Sequence, residues 1–87
     1  MKRLNWKIIL SNINEARLEL EELEKEIKST KKPTDVKLEI SLRHAYHHLN
    51  FAWNIRYEKS KKYSKVTDSN FTKWGKFPRG MDTLEIE

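Results

Sequence analysis

Eighty-seven residues make one domain at most, and a chain this short buries a smaller share of its surface than a typical domain does. Charged side chains make up 36% of it and cysteine is absent, which excludes disulfides and thiolate metal sites and fits a reducing compartment. No apolar run approaches the length of a membrane span and no signal-peptide pattern opens the chain, so the expectation is a cytoplasmic protein with no membrane partner.

The first third carries Trp6, Ile9, Ile13, Ala16, Leu20, Leu23 and Ile27 at alternating spacings of three and four. That is a heptad pattern, which predicts a helix over about residues 5–29 with an apolar seam that needs a partner helix. Glycine and proline are absent before Pro33, and the intervening Glu, Leu, Lys and Arg are good helix formers. Six glutamates between Glu15 and Glu26 face only Arg17 and Lys25, leaving this stretch strongly acidic. Pro33 ends the helix, and Thr34 or Asp35 can cap the next one. So short a connection makes the two helices antiparallel neighbours.

A second helix is predicted over about residues 35–61, where Leu38, Leu42, Ala45, Leu49 and Ala52 repeat the seam spacing. Leu20 and Leu49 are accordingly expected inside the hairpin. Ile40, His44, His47, Phe51 and Ile55 fall on roughly the opposite side of a helical wheel. A single hairpin partner cannot cover both faces, which assigns this second face to an interface between chains. The expected fold is all-α: a long antiparallel helical hairpin (1–61) self-associating into a four-helix-bundle-like homodimer or higher oligomer, with an irregular C-terminal arm (62–87).

Within the arm, Asp68 or Ser69 can cap one short helix through Trp74, with Gly75 as its stop and Pro78 blocking continuation. Lys59, Lys61, Lys62, Lys65, Lys73, Lys76 and Arg79 stand against Asp68 alone and are interleaved with Tyr63, Phe71, Trp74 and Phe77. Lysines neutralise phosphates and rings stack on unpaired bases, so residues 59–79, Trp74 included, form a candidate site for single-stranded nucleic acid. The competing reading has the rings pinning the arm to the bundle and the lysines solvated.

All three histidines, His44, His47 and His48, lie within five residues. His44 and His48 have the i, i+4 spacing that lets two imidazoles reach one metal ion, but no third ligand stands on that face. The expectation is therefore no metal and no cofactor, with His44 and His48 as the weak candidates. Arg43 and His48 form an Arg-x4-His pattern that resembles the short motif of HEPN-type helical ribonucleases. That resemblance spans six residues and implies a helical dimer in which the arginine and histidine act on an RNA phosphodiester. No phosphate-binding loop or nucleophile motif is present. The functional expectation is a small non-enzymatic oligomeric scaffold or accessory protein that binds a protein partner. A nucleic-acid-binding accessory factor using residues 59–79 is the alternative, and a metal-dependent or HEPN-like ribonuclease at the histidine cluster stands third.

Overall fold

The computed structural model describes residues 3–60 and 67–78. They form three helices, α1 (Trp6–Lys28), α2 (Asp35–Asn54) and α3 (Asp68–Trp74), with no strand among the described residues. Helices α1 and α2 pack against each other as the predicted antiparallel hairpin, and α3 lies against α2. No described helix is long and apolar enough to cross a membrane.

Each helix begins on a side-chain cap. Asn5 Oδ1 accepts from the Ile8 amide, Thr34 Oγ1 from Lys37 and Thr67 Oγ1 from Asn70, satisfying amides that have no intrahelical partner. For α3 the cap is thus Thr67 rather than Asp68 or Ser69; Asp68 instead supplies the acidic first-turn residue that suits the helix dipole. Helix α2 stops at Asn54, earlier than the expected 61, without glycine or proline. Asn5 draws the chain away there: its backbone amide donates to the Arg56 carbonyl at 2.6 Å and its Nδ2 to the Glu58 carbonyl at 2.8 Å. The cap of α1 is thereby also the clamp that ends α2.

The two helices meet along a face different from the one their heptads suggested. Helix α1 turns Ile8, Asn12, Ala16 and Leu23 inward, α2 turns Ser41, Ala45 and Phe51 inward, and Ile55, which caps the C-terminus of α2, follows them. Of the first-helix heptad, the row Ala16–Leu23 is buried while the row Trp6–Ile13–Leu20–Ile27 faces out. Helix α2 divides the same way: Ala45 is buried, whereas Leu42 and Leu49 are exposed. Leu20 and Leu49, expected inside the hairpin, are 42% and 51% exposed. Phe51 and Ile55, expected between chains, are core residues of a single chain, Ile55 completely so.

Large apolar side chains gather at the open end of the hairpin, where Trp74 from α3 closes over Ile8, Phe51 and Ile55. This cluster is why the inner face is rotated. Phe51 and Ile55 lie on one side of α2, and docking that side against Ile8 and Trp74 swings Leu42, Leu49 and Trp53 away. Along the rest of the contact, Leu23 apart, the inward residues are small or polar: Asn12, Ala16, Ser41 and Ala45. They let the helix axes come close while leaving little apolar surface to bury. No buried side-chain nitrogen or oxygen among the described residues lacks a hydrogen-bond partner.

The arm is tied to α2 by two asparagines. Asn50 Nδ2 donates to the Gly75 carbonyl at 2.8 Å, and Asn54 Nδ2 to the carbonyls of Trp74 (2.6 Å) and Lys76 (2.8 Å). Gly75 ends α3 as expected, but with ordinary right-handed backbone (φ −83°), so positive φ is not the reason for glycine. A Cβ there would stand 3.1 Å from the Phe71 carbonyl oxygen and 3.2 Å from Phe51 Cε1, and Phe51 is buried with little room to move. Gly75→Ala, a change that often stabilises by limiting the unfolded chain, should here cost about 1–3 kcal/mol through overpacking. Phe51→Ala should cost about 3–5 kcal/mol. Urea midpoints check both; an unchanged Phe51→Ala midpoint would place the core elsewhere.

Candidate functional site

Two surfaces carry the chain's unusual chemistry, and the same rotation of α2 creates both. His44, His48, Phe51 and Ile55 share one side of α2, so burying the last two brings the first two against α1. There the side chains join in a row. Glu19 Oε2 lies 3.1 Å from His44 Nδ1, His44 Nε2 lies 3.2 Å from His48 Nε2, and His48 Nδ1 lies 2.9 Å from Asn12 Oδ1. Asn12 Nδ2 donates to the Ile8 carbonyl at 3.0 Å. A carbonyl can only accept, so this last bond fixes the Asn12 amide with its oxygen toward His48.

A carboxylate at one end of the row and an amide oxygen at the other both accept, so both Nδ1 atoms must carry hydrogen. The two Nε2 atoms then face each other across 3.2 Å, with the ring centres 4.9 Å apart. Hydrogen on both Nε2 atoms would set N–H against N–H across that distance and open the contact. Burial, reinforced by the neighbouring His44 charge, holds the His48 pKa below the usual histidine value, with Glu15 and Glu19 partly opposing the shift and His47 adding slightly to it.

His47 does not join this row. Its ring meets Tyr46 and Phe71 edge-on, at centroid distances of 5.8 and 6.0 Å. Arg43 pairs with Glu39 at 2.6 Å along the outside of α2, while His48 turns toward Asn12 on α1. The residues carrying the HEPN-like spacing are thus engaged with different partners.

The second surface is an apolar groove beside the helix contact. One section, of about 440 Å³, is lined by Leu20, Leu42, Tyr46, Leu49, Trp53, Phe77 and Pro78. It continues past Ile13, Leu20 and Leu49, and then along Leu4, Trp6, Ile9, Ile13 and Trp53, with Leu49 common to all three sections. Trp6 is 67% exposed at one end. Arg56 stacks over Trp53 at 3.7 Å, so the groove ends in a cation held on an aromatic face. The groove was legible as an apolar heptad, but its place outside the hairpin was not.

The nucleic-acid candidates divide. Lys59, Lys73 and Lys76 are exposed, but Trp74 is 3% exposed within the core and cannot stack on a base. Lys61, Lys62, Lys65, Tyr63 and Arg79 lie outside the described residues. Ile40 is exposed on the side of α2 away from the groove. Comparisons of the chain with protein-family models, curated proteins and solved structures find no match.

The histidine row predicts a dependence of stability on pH. The unfolded chain takes up a proton at His48 more readily than the folded chain does, so stability falls with decreasing pH below about 6.5. Facing His48 are His44 and His47 on α2 and Glu15 and Glu19 on α1. In buffer containing a chelator, the urea midpoint should drop between about pH 6.5 and pH 5, and His48→Gln should flatten that drop. A midpoint that rises on acidification contradicts the assignment.

Proposed function

We propose that the protein is a non-enzymatic, self-associating helical-hairpin scaffold whose outer groove is covered by a second copy of the same chain. The observation that carries this reading is the outward heptad row on each helix, Trp6–Ile13–Leu20 on α1 and Leu42–Leu49 on α2, lying side by side with large side chains 42–67% exposed. A seven-residue repeat is the pattern two further helices accept as knobs into holes. Monomers rarely leave a contiguous apolar patch of more than a few hundred Å² uncovered.

The occupant follows from the repeat. A second hairpin presents the same two rows at the same spacing, so a twofold axis across the groove makes the pair self-complementary as a four-helix bundle. Towards the hairpin tip the groove is rimmed by Arg17, Glu21 and Glu24, whose charges are paired within the chain as Arg17–Glu21 and Glu24–Lys28, so it is the apolar repeat that selects the occupant. Self-association also supplies the apolar burial that the small inner contacts of Ala16, Ser41 and Ala45 do not.

Sedimentation equilibrium at micromolar concentration should give a dimer or larger species. Leu20→Glu combined with Leu49→Glu should yield a folded monomer, since both sites are half-exposed within one chain and a charge there opposes only the association. Ile40→Glu, on the far side of α2, should leave the mass unchanged. A wild-type monomer throughout that concentration range, or dissociation by Ile40→Glu instead, contradicts the proposal.

A further inference from the structure

We infer that His44 and His48 form a binding site for a divalent d-block cation such as Zn²⁺, held through both Nε2 atoms with Glu19 and Asn12 as the groups that orient the rings. The spacing of i, i+4 histidines alone is common on helices and carries little. What distinguishes this pair is that both rings are already turned the way metal ligands are turned.

Bound imidazoles usually donate the other ring nitrogen's hydrogen to a carboxylate or carbonyl oxygen, which fixes tautomer and orientation. Here His44 Nδ1 has the Glu19 carboxylate at 3.1 Å and His48 Nδ1 has the Asn12 amide oxygen at 2.9 Å. Both Nε2 lone pairs are left to converge. An ion about 2.05 Å from two nitrogens at a tetrahedral angle of about 109° sets the nitrogens about 3.3 Å apart and the ring centres about 5.2 Å apart. The observed separations are 3.2 Å and 4.9 Å, a small ring movement short of that arrangement.

The surroundings suit a cation. The His44 side chain is 52% exposed, so the mouth of the pair opens to solvent. Glu15 and Glu19 both act favourably on positive charge at His48. Two ring nitrogens are the protein ligands here, and the half-exposed mouth lets water complete the coordination of a bound ion. Imidazole ligands suit Zn²⁺, Cu²⁺ and Ni²⁺ rather than Mg²⁺ or Ca²⁺, which call for oxygen. The site lies off the apolar groove, so its occupancy does not depend on the self-association proposed above.

The test is calorimetric titration of the full-length, untagged, metal-free chain with ZnCl₂ near pH 7.5, alongside Mg²⁺. Saturable binding of one Zn²⁺ per chain is expected, with no response to Mg²⁺. His44→Ala should abolish it while circular dichroism stays helical, since that ring is half-exposed. Glu19→Gln, which removes the orienting charge without touching the ligand atoms, should weaken binding about tenfold. His47→Ala should bind like the parent. Long-range ¹H–¹⁵N spectra of the zinc-loaded chain should show His44 and His48 protonated at Nδ1 with Nε2 shifted by the metal. No saturable binding, equal loss in His47→Ala, unchanged affinity in Glu19→Gln, or metal on Nδ1 would each overturn the assignment.

Discussion

The packing of Trp74 onto Ile8, Phe51 and Ile55 is the contact on which the rest of the molecule depends. Among the described residues it is the one cluster of large buried apolar side chains, it joins α1, α2 and α3, and it sets the rotation of α2. With Phe51 and Ile55 turned inward, the helical period leaves no freedom for the residues around them. His44 and His48 are carried to α1, and Leu42, Leu49 and Trp53 are carried outward. A histidine row and an apolar groove thus follow from the same buried cluster, and disturbing the cluster should alter both.

Polar contacts reinforce that rotation at each end. Asn5 caps α1 and holds the carbonyls of Arg56 and Glu58, fixing where α2 stops. Asn50 and Asn54 hold the turn after α3 against α2. Asn12, fully buried, meets His48 and the Ile8 carbonyl together. Buried amides of this kind are costly when left unpaired, so each favours one register over its neighbours more than it adds net stability. The exposed i, i+4 ion pairs Arg17–Glu21, Glu24–Lys28 and Glu39–Arg43 contribute little by comparison.

The sequence disclosed the helical hairpin well. Asn5 and Thr34 act as starts and Gly75 as a stop, α1 stops at its Ser29 cap ahead of Pro33, and α1 and α3 begin and end within a residue or so of expectation. What hydrophobic periodicity misjudged was the direction of the faces. A stripe of Leu, Ile and Trp outweighs a stripe of Asn, Ala and Ser on any hydropathy wheel, yet the small stripe forms the inner contact because it permits close approach. The signal that could have corrected this was Trp74: a large apolar ring after the hairpin needs a pocket, and Phe51 with Ile55 on α2's other side helps to form it. The histidine pair was legible as spacing. Its orienting groups Glu19 and Asn12 were not, because they lie on α1 and become partners only through the helix rotation.

The claim that two heptad rows lie outside the hairpin and are covered by a second copy can be read residue by residue. Methyl NMR with a soluble paramagnetic probe, repeated over a dilution series, reports which apolar groups meet solvent and when. Ile8 and Ile55 should be shielded at every concentration, while Ile13, Leu20 and Leu49 should be shielded in the concentrated sample and broadened on dilution. Shielding of Leu20 and Leu49 that persists to the most dilute sample, or broadening of Ile55 there, would contradict the account.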